Sequence, residues 1–534
     1  MEDRNRTSRS SIFDPPFSMA VAMASVLAAL ILLPSLTYPL GPDDSAYAYV
    51  ARRLLQGDVL YRDLYESKLG IYFLYASVFR LFGDTTLALR AFDLAWQVVT
   101  AGFVVALSAE VMDLRRAAIA GVLYTLFYMD TNFWSMASAD SFLNLPSLIA
   151  LLAWVHCRKR GELSWAVWAG LGLGAAMLLR PTAGVLVLML PVVWCTTAPL
   201  PHGRSSGFAR AMLVTLLAAA FTFAPFAVYF TVHNAWADFR TTWLVMNPFY
   251  ATQIGFDSWR EALVSITRQF QNTAWMESRL ELVVIVFGPL FALTQLRTNR
   301  GLWLPLGYLF VGMLGLVVQR KFFVYQWSPL YPPLAMLGAK LFEVGKLVAI
   351  VPAERRRRFE FIGTGAALFF IISCLFVQAR NYDESFARPT KAHFVGEGFS
   401  YPIELEVATH LRGNTAPDDT ICIWGFSPAL HWLSRRNAAT GRIFYSHVLQ
   451  WPAMPKAWRD DYLTKLFGSR PKFIVLRRND VMPQLTGRTD DSWMQFYAVA
   501  ELRQFLDAEY QFDRMMGDPN TPEYYGVYRR RATQ

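Results

Sequence analysis

The sequence predicts a polytopic α-helical membrane protein with a small α/β domain at its C-terminal end. Three observations predict it. Charged residues make up 17% of the 534 and hydrophobic residues 54%, against roughly 25% charged in soluble globular chains. The apolar stretches are long, repeated and poor in charge. Beyond residue 378 that pattern stops, and short strand-like and helix-like segments alternate instead.

A membrane-crossing helix needs about 20 apolar residues. The first such stretch, Phe17–Leu36, follows a tail carrying Arg4, Arg6 and Arg9. Its length, and the absence of a small-residue cleavage site after it, predict a retained anchor rather than a removed signal. Further stretches at 87–109, 117–135, 142–157, 164–179, 182–198, 211–232, 280–296, 302–318, 326–349 and 360–378 bring the expectation to about 11 helices. The polar segments between them fix orientation. Arg115-Arg116, Arg158-Lys159-Arg160, Arg204 with Arg210, Arg297 with Arg300, and Arg355–Arg358 fall in alternate connections. With the N-terminus in the cytoplasm, all five groups lie on the cytoplasmic side, as the positive-inside bias requires. This placement also accounts for the net charge of +10 without a nucleic-acid partner.

Three longer polar segments then face the opposite side: 37–86, 233–279 and the tail 379–534. The predicted organisation is a transmembrane domain over 1–378 and a soluble extracytoplasmic domain over 379–534. In the first loop, Ala46–Leu55 and Gly70–Leu81 are too short or too charged to span, so both are expected at the interface. In the tail, Thr420–Trp424 reads as a strand, Gly425 as a turn, and a helix follows with Ser427 as its cap and Pro428 in its first turn. Phe473–Leu476 reads as a second buried strand. Gly425 stands alone, without the spacing of a dinucleotide-binding loop. The cysteines, Cys157, Cys195, Cys374 and Cys422, are scattered and suggest neither a metal knuckle nor a disulfide framework.

The chemistry concentrates in the first loop. Asp43 and Asp44 follow Pro42, and Asp58, Asp63, Glu66 and Lys68 come after them. Carboxylates at a helix start serve as caps and suit its dipole, which is reason enough for one aspartate but leaves the accumulation unexplained. Asp140, in "SMASADSFLNLP", occupies the next outward-facing connection. Paired aspartates at 418–419, 460–461 and 490–491 show that pairing alone carries little meaning, so context decides for 43–44.

The stretch "PDDSAYAYVARRLLQGDVLYRDLYESKLGIYFLYASVFRLFG" resembles the first extracytoplasmic loop of the GT-C lipid-dependent glycosyltransferases. It is most similar to the branch holding protein O-mannosyltransferases, the aminoarabinose transferase of lipid A and the Rgt-like enzymes. The shared elements are the acidic pair Asp43-Asp44, the helix from Ala46, the "GDVLYRD" turn and Lys68. "KLG" stands where that branch often has "KPP". "LLRPTAGVLVL" (Leu178–Leu188), the Asp140 loop and the tail resemble other parts of the same proteins.

The resemblance implies a GT-C fold and transfer of a sugar from a polyprenyl-phosphate donor to an acceptor hydroxyl on the extracytoplasmic side, with inversion. It implies Asp43 as general base, with Asp44 and Asp140 beside it. Cations should surround the leaving phosphate; Lys68 is the first candidate and Arg180 the second, with Arg320 and Lys321 in "QRKFFVYQW" as weaker ones. The implied partners are the lipid-linked sugar, a lipid, glycan or protein acceptor, and membrane lipids, in a bacterial cytoplasmic membrane. No cofactor is assigned, and a divalent cation on loop carboxylates stays open. A flippase for a lipid-linked saccharide is the competing class, since charged groups inside the membrane suit transport. The absence of an inverted repeat and the large soluble tail count against it. A non-catalytic scaffold would leave the acidic loop without a task.

Overall fold

The computed structural model describes residues 15–198 apart from 131, 132 and 134, then 207–253, 279–319, 322–343, 353–383, 394–396, 399–481 and 488–532, with isolated positions between 258 and 267 and at 386. The chain forms two compact units. One comprises Met1–Tyr38, Arg90–Ala224 and Ser258–Pro389; the other comprises Pro39–Leu89, Pro225–Asp257 and Thr390–Gln534. The helices that position the candidate residues are α1 (Pro15–Leu32), α2 (Pro42–Leu55), α3 (Gly70–Phe82), α4 (Thr86–Ser108), α5 (Leu114–Met129), α6 (Ala139–Phe142) and α7 (Asn144–Arg160).

The first unit is a helical bundle arranged for an apolar surrounding. On α1, Ala20, Ala24 and Ala28 recur every four residues and are buried, while Met19 and Met23 are 71% and 56% exposed. The small face packs inward, with Ala24 against Gly121 of α5, and the large apolar face points out. That is the inverse of a soluble amphipathic helix, and it suits lipid. Gly170 and Gly174 of the helix Leu163–Leu179 lie directly against Thr215 and Ala219 of the helix Phe208–Phe221, an approach a side chain would block.

Each of the eleven apolar stretches is helical over at least part of its length. Among the described residues, five helices are long and apolar enough to cross a membrane: Pro15–Thr37, Thr86–Ser108, Ala139–Arg160, Phe208–Val232 and Arg300–Gln319. Gly70–Phe82, Leu163–Leu179, Pro181–Thr196, Val283–Thr294 and Gly365–Phe376 are apolar but shorter.

The second unit joins the first loop, the Pro225–Asp257 segment and the tail. The tail carries a small hairpin, β1 (Val395–Gly396) with β2 (Phe399–Ser400), and a four-stranded sheet of β3 (Ile421–Trp424), β4 (Phe473–Arg478), β5 (Tyr510–Gly517) and β6 (Tyr524–Arg530) in the order β3-β4-β6-β5. β3 and β4 run parallel, with Ile421 opposite Phe473. β6 runs antiparallel to both β4 and β5. Val407, Leu411, Ile423, Leu430, Val475 and Val527 fill the core beneath the sheet. The turn at Gly425 has φ 130°, and Pro428 opens the helix Pro428–Ser434 as the sequence predicts. Ser427 precedes that helix but gives it no side-chain cap; its hydroxyl meets Tyr525 Oη at 3.0 Å instead.

Candidate active site

Helix α2 starts where its sequence dictates. Pro42 occupies the first turn with Asp43 and Asp44, and Arg52 and Arg53 occupy the last. Pro at the helix start, acids near the N-terminus and bases near the C-terminus all favour this register. The helical rotation separates the neighbours, leaving Asp44 fully buried and Asp43 partly accessible.

One turn beyond Asp43, the Tyr47 hydroxyl lies 3.5 Å from Asp43 Oδ2 and accepts a hydrogen bond from Lys68 Nζ. The ammonium also sits 4.3 Å from the centre of the Tyr47 ring, a cation–π contact. An acid and a cation are thus bridged by one phenol. Tyr72 and Tyr75 of α3 meet the Tyr47 ring edge-on, at 5.7 and 6.0 Å, and hold it in place.

The chain around Lys68 is fixed atom by atom. Tyr61 Oη donates to the Lys68 carbonyl at 2.5 Å, and Trp243 Nε1 donates to Tyr61 Oη at 2.9 Å. Asn247 Nδ2 donates to the Ser67 carbonyl at 2.9 Å. Glu66, buried beside them, accepts from Tyr72 Oη at 2.8 Å and from the Ser67 amide at 3.2 Å. Burial pushes the Glu66 carboxyl up to about 7; the Tyr72 and Ser67 hydrogen bonds oppose that shift and the charge of Asp43 adds to it. A carboxylic acid poised near neutrality beside a second carboxylate is a recurrent feature of functional sites.

The other acids of the loop have structural tasks. Asp58 pairs with Arg53. Asp63 accepts the Val59 amide at 2.8 Å and Arg62 at 2.8 Å, closing the turn. Asp84 binds Arg52 at 2.7 Å and Arg435 at 3.1 Å, fastening the helix Pro428–Ser434 to α2. Beneath that joint His431 is buried, stacked on Tyr49 at 4.9 Å, and burial lowers its pKa to about 4.

Asp140 and Arg180 meet in the first unit. Asp140 is fully buried in α6, and Arg180 Nε donates to its Oδ1 at 2.5 Å. Arg180 ends the helix Leu163–Leu179, where Pro181 stops it. An arginine expected as a phosphate contact is therefore engaged with a carboxylate. Arg320 and Lys321 lie outside the described residues. Among the described residues no group of three His, Cys, Asp or Glu side chains is placed to hold a metal ion.

Comparison with known proteins bears on the fold. Residues 69–230 match the family described as Dolichyl-phosphate-mannose-protein mannosyltransferase. The match includes Asp140 and Arg180 and begins directly after Lys68. No curated protein matches the chain. Among solved structures, ArnT from Cupriavidus metallidurans in the apo state superposes with a TM-score of 0.59 at 14% identity, over 96% of this chain and 97% of that one. The same protein bound to undecaprenyl phosphate gives 0.58 at 13%, with the same coverage. The archaeal oligosaccharyltransferase AglB from Archaeoglobus fulgidus, in complex with an inhibitory peptide and a dolichol-phosphate, gives 0.51 at 12%, over 95% of this chain and 74% of that one.

The chain has the GT-C fold. The resemblance read in the first loop thus extends over nearly the whole length at low identity. Within this GT-C chain, sequence reasoning picked out Asp43 and Lys68 but missed Tyr47, Tyr72 and the engagement of Glu66. The i, i+4 spacing of Asp43 and Tyr47 was the available signal. The meeting of Tyr72 with Glu66 joins a helix to a loop through a turn whose path no periodicity fixes.

Proposed function

We propose that this protein is an integral membrane glycosyltransferase that moves a sugar from a polyprenyl-phosphate donor to an acceptor hydroxyl on the extracytoplasmic side, inverting the anomeric carbon. The observation that carries the reading is the Asp43–Tyr47–Lys68 bridge in a chain of GT-C fold. ArnT was solved with undecaprenyl phosphate and AglB with dolichol-phosphate, and a lipid phosphate is the kind of anion that Lys68 would bind.

The chemistry follows from the residues. The acceptor oxygen attacks the anomeric carbon, its proton passes to the Asp43 carboxylate, and the bond from that carbon to the phosphate oxygen breaks. The electron pair leaves with the phosphate. A phosphate leaving group needs charge compensation more than it needs an acid, and Lys68 supplies a cation. Tyr47 keeps acid and cation in register, so base and phosphate site move together if α2 moves. Asp44 lies buried in the same first turn of α2. Asp140, inside the segment that matches the mannosyltransferase family, is the second acid of the reaction, oriented by Arg180. The orientation proposed is the one the basic clusters predict, with about 11 spans, the N-terminus in the cytoplasm and the tail outside, in a bacterial cytoplasmic membrane.

The test is release of polyprenyl phosphate from a panel of polyprenyl-phosphate sugars by purified protein in lipid, comparing wild type with Asp43→Asn. Turnover by wild type that vanishes in a folded variant which still binds carrier supports the assignment. Undiminished turnover in the variant removes Asp43 as the base. A silent wild type that translocates lipid-linked saccharide across vesicles would replace the transferase with a flippase.

A further inference from the structure

Helix α4 carries charged and polar side chains that are buried inside the protein. Arg90 and Asp93 are 0% and 1% exposed, and Gln97 is fully buried. Charges removed from water are expensive unless they are paired or serve something. The structure shows where their hydrogen bonds go. Arg90 Nη2 donates to the Phe133 carbonyl at 3.1 Å. Both Asp93 oxygens lie within hydrogen-bond range of Tyr128 Oη, at 3.0 and 2.8 Å, and Gln97 Nε2 donates to Oδ1 at 3.0 Å. Tyr128 Oη in turn accepts the Ala137 amide at 3.0 Å. Trp96 Nε1 donates to the Phe142 carbonyl at 3.1 Å.

Arg90, Asp93 and Trp96 recur at a three-residue spacing along α4, so they share one side of the helix. From that side they reach residues 133, 137 and 142, which bracket Asp140. Ala137 has φ 60°, a left-handed conformation that a residue with a Cβ adopts at a cost and keeps only where its surroundings hold it. Directly after it, Ser138 caps α6 by accepting the Ser141 amide at 3.2 Å, which sets the turn presenting Asp140.

We propose that Asp93 is a positioning residue for Asp140: through Tyr128 it pins the Ala137 amide and so fixes the turn that aims the Asp140 carboxylate. An apolar residue at 93 would pack at lower cost, but Tyr128 would lose the acceptor that orients its hydroxyl toward the Ala137 amide. The inference rests on the transferase reading for its kinetic consequence, though not for its structural one.

The experiment uses the full-length protein in lipid nanodiscs, with Asp93→Ala, Asp93→Asn, Tyr128→Phe, Asp140→Asn and the Asp93→Ala/Asp140→Asn double variant. Turnover of the polyprenyl-phosphate sugar and hydrogen exchange of the peptide spanning 133–142 are measured together. Asp93→Ala and Tyr128→Phe are expected to lower kcat about 10- to 100-fold, the scale of a small misplacement of a reacting group, with KM for the donor changed less than about 3-fold. Asp93→Asn, whose amide oxygen still accepts from Tyr128, is expected to recover most of kcat. The double variant should be no slower than Asp140→Asn. Exchange across 133–142 should rise in Asp93→Ala and stay at the wild-type level in Asp93→Asn. Unchanged exchange in Asp93→Ala, or a loss of kcat in Asp93→Asn equal to that in Asp93→Ala, overturns the proposal. If wild type turns over no donor, the transferase reading fails, and the exchange measurement still decides whether Asp93 holds the turn.

Discussion

Asp43 and Asp140 both sit at the start of a helix beside a cation, yet they are compensated by different means. Asp140 is fully buried and meets Arg180 directly at 2.5 Å. Asp43 is partly accessible and reaches Lys68 through the hydroxyl of Tyr47. A direct buried pair is held by mutual need, because either partner left alone would be a desolvated charge. A pair bridged by a neutral phenol keeps acid and base distinct, so one can take a proton while the other binds an anion. The same residue types therefore give a directly paired acid in one region and a bridged acid in the other.

The largest effect should separate the two acids by turnover. Asp43→Asn is expected to lower kcat by about 100- to 10,000-fold, the usual contribution of a general base, with little change in melting temperature. Equal losses from Asp43→Asn and Asp140→Asn would erase the distinction between Asp43 as the base and Asp140 as an acid that supports it.

The cations should separate by stability. Arg180→Met leaves Asp140 buried without its guanidinium and is expected to destabilise the protein by about 3–5 kcal/mol, read as a fall in melting temperature in lipid. Lys68→Met removes a hydrogen bond to a hydroxyl and a cation–π contact with the same ring, and should lower the melting temperature less than Arg180→Met does. A larger loss from Lys68→Met than from Arg180→Met would reverse the comparison.

The first loop should also carry a pH signature. Burial holds the Glu66 carboxyl up to about 7, so the folded protein binds that proton more tightly than the unfolded chain does. Stability from this group is full below the ordinary carboxyl range near about 4.3, falls as pH rises toward about 7, and stays low above it, a change of about 3 kcal/mol. Glu66→Gln should flatten that fall in melting temperature between pH 4 and 8. Glu404 of the tail, which burial also holds up to about 7, should contribute the same slope, so the Glu66→Gln/Glu404→Gln double variant should flatten it further. An unaltered slope in both would show that these carboxyls ionise at ordinary pH.

The smallest effect should fall on binding. Lys68→Met is expected to weaken polyprenyl phosphate binding about 10- to 100-fold, the range for one charge-assisted hydrogen bond, and Lys68→Arg should keep part of it. Arg180→Met, once corrected for its folded fraction, should change that affinity less. The opposite ranking would make Arg180 the phosphate contact and Lys68 the fixed partner.

Much of this arrangement was visible in the sequence, and the exceptions share a cause. Pro42-Asp43-Asp44 followed by Arg52-Arg53 specifies a helix with marked ends, and α2 occupies that register. Ile421–Trp424 and Phe473–Arg478 are strands where the apolar runs predicted them. β5 and β6 were not foreseen: β5 alternates buried and exposed positions irregularly across the register shift between Phe512 and Arg514, which weakens its period-2 signal. Asp58 and Asp63 look like Asp43 in the sequence and differ from it in the fold, where Arg53 pairs with Asp58 and Asp63 takes Arg62 and the Val59 amide.

By itself the sequence determined what local rules can encode: which stretches are apolar, where helices begin and end, and which loop gathers acids with a lysine. Only the tertiary structure decided which acid meets which partner. Tyr47 to Lys68, Glu66 to Tyr72, Asp140 to Arg180 and Asp93 to Tyr128 join residues whose separation along the chain follows no helical or strand period. Burial then magnifies each meeting, because a polar group removed from water takes its properties from the few neighbours that replace it.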